Sequence, residues 1–171
     1  MRIAVLSDIH ANAEAFEACL ADAARRGARR HVLLGDLVGY GADPHRVLDR
    51  AQALAAEGAV IVKGNHDEAA VTDRGGMTAD AAAAAAWTRD VLDAAQKAFL
   101  ASLPLEVEEE DRLYVHADAT EPARWNYLRD AEDARRSLDA VQARVVLCGH
   151  VHVPALYGLT AAAKLVSFKP V

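Results

Sequence analysis

The chain has 171 residues, which suits one domain (1–171) with a single continuous core, and no uninterrupted apolar run approaches the length of a transmembrane helix. The net charge of −6 weighs against non-specific binding to nucleic acid. Two cysteines, Cys19 and Cys148, cannot build a disulfide framework, and both read as reduced, buried small residues of a cytoplasmic protein.

The opening "MRIAVLSDIH" ends a short apolar run in charge and has no small-residue cleavage site, so Arg2–Ser7 reads as a first strand and not as a signal peptide. Asn12 is placed to cap a helix with Phe16, Cys19 and Leu20 on its apolar face, ending near Gly27. His31–Leu34 follows as a second strand. Asp43-Pro44 then opens a helix to about Glu57, with Gly58 as its stop, and Ala59–Val62 is a third strand. Short, fully apolar strands separated by helices indicate parallel βαβ units covered on both faces. Thr78 caps a long alanine-rich segment that is either one helix or two broken near Asp90–Ala94, ending before Pro104. Leu105–Glu108 and Arg112–Val115 flank an acidic turn and read as a hairpin. Asp130–Val141 reads as a helix, Arg144–Leu147 as a buried strand, and Ala155–Tyr157 and Lys164–Phe168 as short strands.

Five of the seven histidines stand in short motifs with other ligand-type residues. The motifs are Asp8-Ile-His10, Gly35-Asp36, Gly64-Asn65-His66-Asp67, Val115-His116 and Gly149-His150-Val-His152, and each follows the C-terminal end of a predicted strand. Alone, Asp8-x-His10 or Gly35-Asp36 is a pair that loops produce by chance. His31 and His45 belong to no motif and read as structural. Jointly the five motifs converge at one edge of one sheet, where so many buried polar groups would cost several kcal/mol unless metal ions compensated them. Imidazole, carboxylate and amide-oxygen donors suit Mn, Fe, Co, Ni or Zn.

In this order the blocks resemble the signature of the calcineurin-like metallophosphoesterase superfamily: Asp-x-His, Gly-Asp, Gly-Asn-His-Asp, His, Gly-His-x-His. The stretches "GDLVGYG" and "GNHDEAAV" are similar to its small bacterial, phosphodiesterase-type branch. The resemblance implies an α/β sandwich with a largely parallel central sheet, flanking helices and an added β-hairpin. It implies two divalent ions of undetermined identity, manganese among the candidates. Asp8, His10 and His152 would hold the first, Asn65, His116 and His150 the second, and Asp36 would bridge them. The ions would share a hydroxide that attacks a phosphoester in line, with His66 assisting the leaving group. Asp67 would either orient His66 or its loop, or cap a helix beginning at Glu68.

The equivalent of the phosphatase stretch "GDxVDRG" is "GDLVGYG" here, so Gly39 and Tyr40 stand where Ser/Thr phosphatases carry Asp and Arg. A small phosphate ester, preferably a diester, is therefore the expected substrate, held by the metals, His66 and Asn12. Trp125, Asn126 and Tyr127 either flank that substrate or pack their loop, and Tyr40 is open in the same way. A protein-interaction scaffold of the same fold is the alternative function. "LVSFKPV" stops within strand-forming sequence, which reads as a shortened member whose sheet edge near Lys164–Val171 favours homo-oligomers or aggregation.

Overall fold

The computed structural model describes residues 1–73, 76–160, 162 and 164–168. Three apolar segments, Ile3–Leu6 (β1), Arg30–Leu33 (β2) and Val60–Ile61 (β3), form a parallel sheet in the order β1-β2-β3. Helices Ala13–Arg25 (α1) and Pro44–Ala56 (α2) make the crossovers. A short helix, Asn65–Ala69 (α3), follows β3, and the alanine-rich segment divides into Ala79–Val91 (α4) and Ala94–Ser102 (α5). The break between α4 and α5 has a local cause. Leu92 is extended, and the Asp93 side chain accepts from the Gln96 N–H at 2.8 Å, starting a new helix.

The second half builds a separate sheet. Glu106–Glu109 (β4) and Arg112–Val115 (β5) pair antiparallel as a hairpin, and Val145–Leu147 (β6) pairs parallel with β5. Helix Ala131–Asp139 (α6) precedes β6, and Leu156–Leu159 (β7) with Leu165–Phe168 (β8) forms a two-stranded antiparallel hairpin. Residues 169–171 of the expected C-terminal edge lie outside the described residues.

Period-two alternation explains how the layers stack. Leu33 faces a core shared with Phe16, Leu20, Leu48, Leu54 and Leu100 from the helices. Its neighbours Val32 and Leu34 face the other way, into a core with Val60, Val62 and Tyr114. Leu113 and Val115, flanking Tyr114, point to a third cluster with Ala119, Val141 and Val146. The two sheets therefore lie face to face, with helices outside the first.

Two expectations are corrected. Cys19 is exposed, because α1 buries Ala13, Phe16, Leu20 and Ala23, and position 19 falls beside that stripe. Cys148 is half-buried. The five motifs do not share one sheet: three follow strands of the first sheet and two follow strands of the second. His45 proves to be an interhelical tie, its Nδ1 lying 2.8 Å from the Gln96 side-chain oxygen across α2 and α5. No helix among the described residues is long and apolar enough to cross a membrane.

Candidate metal centre

Past the end of β1 the chain continues alongside the loop after β2. Asp8, His10 and Ala11 donate their backbone N–H groups to the carbonyls of Gly35, Asp36 and Leu37 at 3.1, 2.9 and 2.8 Å. The first two motifs are thus locked in register by an extension of the β1·β2 pairing. The third packs against them at Gly64, where a Cβ would collide with the Asp36 carboxylate and backbone N. The last two are joined in the same way, since Gly149 N–H donates to the His116 carbonyl at 2.9 Å. His150 N–H reaches both oxygens of Asp8 at 3.1 Å, which ties the second sheet's loops to the first's.

These loops hold unusual backbone. Asp8, His10, Asp36, His150 and His152 have φ of 55°, 49°, 52°, 69° and 57°, all in the left-handed region. Non-glycine residues avoid that region unless the surroundings over-determine it, and such strain concentrates at functional sites.

The side chains meet as two sets. In the first, His152 Nε2 lies 3.1 Å from Asp8 Oδ1 and 3.2 Å from His10 Nε2. In the second, His116 Nε2 lies 3.2 Å from Asn65 Oδ1, and His150 joins His116 and Asp36 as a third potential ligand. Asp36, 1% exposed, sits between the sets, with Oδ2 3.4 Å from His116 Nε2 and 3.8 Å from His10 Nε2. His66 brings a ring nitrogen within 4.8 Å of the His10 and Asp36 ligand atoms, and its imidazole meets that of His10 edge-on with centroids 5.0 Å apart.

Donor chemistry shows that the residues fit divalent ions. A carbonyl only accepts, so each imidazole nitrogen beside one carries the proton and leaves its other nitrogen as a lone pair. His10 Nδ1 lies 3.3 Å from the Val38 carbonyl and His116 Nδ1 2.7 Å from the Leu34 carbonyl, which leaves both Nε2 atoms for a metal. His150 is reversed: its Nε2 lies 3.0 Å from the Trp125 carbonyl, leaving Nδ1. Backbone carbonyls thus set the ligand tautomers. The neutral lone pair of His10 faces His152 Nε2 at 3.2 Å. That is the spacing of two ligands around a shared ion with bonds of about 2.0–2.2 Å.

Charge follows the same geometry. Burial opposes the ionised form of Asp36, but His116, with His66 and His10, outweighs it and holds the carboxyl down at about 2. Burial likewise opposes the His116 cation, and the Asp36 carboxylate overrides it, pushing His116 up to about 9. His10, His66 and His150 are lowered, burial being the main cause in each.

Of the two expectations for Asp67, the hydrogen bonds agree with loop orientation and not with a cap at Glu68. Its Oδ1 accepts from the Leu37 and Val38 N–H groups at 2.9 and 3.2 Å, and Oδ2 from Gly64 N–H at 2.9 Å. It lies inside α3, capped by Gly64, and so does not cap a helix at Glu68. It organises two motif loops, while His66 Nδ1 is buried with no hydrogen-bond partner among the described residues. Gly39 explains that vacancy of space: a Cβ there would sit 2.5 Å from His66 Nδ1, and its φ is 90°. Asn12 caps α1 through its side-chain oxygen, 3.0 Å from Ala15 N.

Around the mouth, Tyr40 is 55% exposed, with φ of 60°, and lies against His66 and His10 with centroids 4.5 and 5.0 Å away. Burial and then the Asp36 charge raise its hydroxyl pKa. Trp125 serves the centre through its carbonyl, and its indole N–H donates to Glu68 at 3.1 Å. Tyr127 stacks on His150. The contributions of Val38, Leu34 and Trp125 come from main-chain atoms, which no pattern of residue types reveals.

Residues 1–166 match the family model of the calcineurin-like phosphoesterase superfamily domain. The uncharacterized protein MJ0912 of Methanocaldococcus jannaschii is 35% identical over 163 residues, covering 89% of this chain. The chain spans 63% of that relative's length. The crystal structure of a metallophosphoesterase from Sphaerobacter thermophilus is 33% identical and superposes with a TM-score of 0.84, covering 100% of this chain and 69% of that one. The hypothetical protein PH1004 of Pyrococcus horikoshii, 16% identical, shares the fold with a TM-score of 0.72 over 98% of this chain and 86% of its own. The chain belongs to the calcineurin-like phosphoesterase superfamily.

Proposed function

We propose that the protein is a metal-dependent phosphoesterase that hydrolyses phosphodiesters and small phosphomonoesters at a two-metal centre. The observation that carries this reading is the buried Asp36 carboxylate, whose Oδ2 lies 3.8 Å from His10 Nε2 and 3.4 Å from His116 Nε2. One carboxylate oxygen, Oδ2, near a histidine of each of two adjacent donor sets is suited to bridging a metal pair. Asp8, His10 and His152 would hold one ion; Asn65, His116 and His150 the other; Asp36 both. Divalent ions so bound supply charge neutralisation for the phosphoryl group and lower the pKa of water to near neutral.

The chain's own groups do the rest. His66 lies next to the ligand Asn65, lodged against His10 and Tyr40, and its pKa is lowered mainly by burial. It donates a hydrogen bond or proton to the leaving oxygen. Tyr40 offers a hydroxyl donor at the mouth, where an arginine is missing. Retention of every candidate ligand supports catalysis over a scaffold role. The free thiols of Cys19 and Cys148 support a reducing, cytoplasmic setting.

The test is turnover of bis-p-nitrophenyl phosphate with Mn²⁺ or Ni²⁺, for the native chain and His66→Ala. We expect metal-dependent hydrolysis that chelation abolishes, and a loss of about 10²–10⁴-fold in the variant. No turnover with any divalent metal would reject the enzymatic reading, and equal rates would remove His66 from it.

A further inference from the structure

Tyr127, 47% exposed, is contacted at its ring by two groups. The His150 imidazole stacks on it, with centroids 4.1 Å apart and planes 23° from parallel. The Arg129 guanidinium lies over the ring with Cζ 5.0 Å from its centroid. The ring links a candidate ligand histidine to a cation.

That cation is exceptional among its neighbours. Arg124, Arg135, Arg136 and Arg144 are each paired with a carboxylate: Glu121, Asp139, Asp133 and Asp111. The Arg129 guanidinium pairs with no carboxylate among the described residues, although the chain carries a net charge of −6. Its position is nevertheless fixed at the backbone, where its N–H donates to Asp133 at 2.9 Å and Asp133 also holds Arg136. A guanidinium held over an aromatic ring, with no carboxylate partner among the described residues, is suited to bidentate capture of a phosphate.

We propose that Arg129 is a second anion site beside the metal centre, and that the substrate is a phosphate ester carrying a further phosphate remote from the scissile bond. The proposal rests on the phosphoesterase reading and narrows it. The two ring contacts place Arg129 within two ring spacings of His150, on the scale that one sugar between two phosphates spans. Tyr127 is then a positioning residue, setting the cation's distance from the metals.

The experiment compares thymidine 3′,5′-bisphosphate with thymidine 5′-phosphate by calorimetric titration into the Mn²⁺-loaded protein. Native protein should bind the bisphosphate at least about tenfold more tightly, the worth of a charge-assisted hydrogen-bonded pair. Arg129→Ala should bring the two affinities within about twofold of each other, and Arg129→Lys should fall between. Arg29→Ala removes an exposed arginine just before β2, at the far end of the strands, and should keep the preference. A native protein without preference, or one whose preference survives Arg129→Ala, overturns the proposal. So does an equal loss in Arg29→Ala, which would mean bulk charge alone. Hydrolysis of bis-p-nitrophenyl phosphate, which has no second phosphate, is followed on the same preparations. Preference without turnover removes the proposed reaction and leaves the anion site; turnover without preference removes the anion site alone.

Discussion

Asp36 and Asp67 are both buried aspartates of motif loops, yet their surroundings assign them opposite work. Asp36 sits among imidazoles and its carboxyl is lowered to about 2, whereas burial and the Asp36 charge push Asp67 up to about 7. The three backbone N–H groups on Asp67 make it a structural clamp. Asp67→Ala would strand those donors and should cost about 3–5 kcal/mol, a fall of roughly 10 °C in Tm by calorimetry. A shift under about 2 °C with activity lost would return Asp67 to a direct role in the chemistry. His116 sets the pH response. Its pKa is raised from 6.5 to about 9, so the stability of its ion pair is fully present below 6.5 and lost as pH rises through about 9. Asp67, raised to about 7, acts in the same direction from lower pH. The lowered His10, His66 and His150 act oppositely, but only up to about pH 6.5. Metal-free protein should therefore lose Tm from about pH 7 to about pH 9. Metal affinity should rise over that window, because binding must expel the His116 proton. A metal-free Tm that is flat or climbing there would contradict the Asp36–His116 pair.

At the level of elements, the strands are short and the loops beyond them do the positioning. β3 has only Val60 and Ile61, yet the loop after it delivers Gly64, Asn65 and His66 against Asp36. The His66 backbone N–H donates to Asp36 Oδ1 at 2.9 Å, so the first turn of α3 holds the carboxylate from behind. Gly64 is the position on which this approach depends. Gly64→Ala should push the α3 loop off Asp36 and weaken metal binding by about 10–100-fold, the usual effect of disturbing the groups behind a ligand. Titration with Mn²⁺ measures this, with far-ultraviolet circular dichroism confirming that the helices persist. Unchanged affinity would mean the loops move more freely than their hydrogen bonds imply.

For the whole molecule, the open question of surface lies on the side of β1, β6 and α6. β1 and β6 are the edges of their sheets, and a groove of about 800 Å³ lined by Val5, Leu6, Leu138, Val146 and Leu156 runs between them. Val153, Leu156 and Phe168 are 63%, 59% and 59% exposed around the β7–β8 hairpin. Apolar residues clustered beside sheet edges favour self-association. We propose that this chain forms homo-oligomers through that face. Light scattering should then show mass rising with concentration, reduced in Leu156→Lys and Phe168→Lys, whereas a monomer at all concentrations would reject it.

Residue type and order by themselves determined the βαβ first half, the β4–β5 hairpin and the set of ligand-bearing motifs. Those follow from local physics: apolar runs, caps such as Asn12 and Thr78, and polar clusters too dense for chance. The break before α5 was one of two readings the sequence left open, and Cys19 fell beside the stripe of Ala13, Phe16, Leu20 and Ala23 that α1 buries. Other features required the folded chain. The stacking of two separate sheets depends on which strand edges meet, and identical alternation patterns permit one sheet or two. The tautomers of His10, His116 and His150 are chosen by carbonyls of Val38, Leu34 and Trp125, atoms every residue possesses. Asp67 was likewise ambiguous as a residue type, and Arg129 stood in no motif. Their roles came from what lay within about 3–5 Å of them, and only tertiary contact supplies such neighbours across long sequence separations.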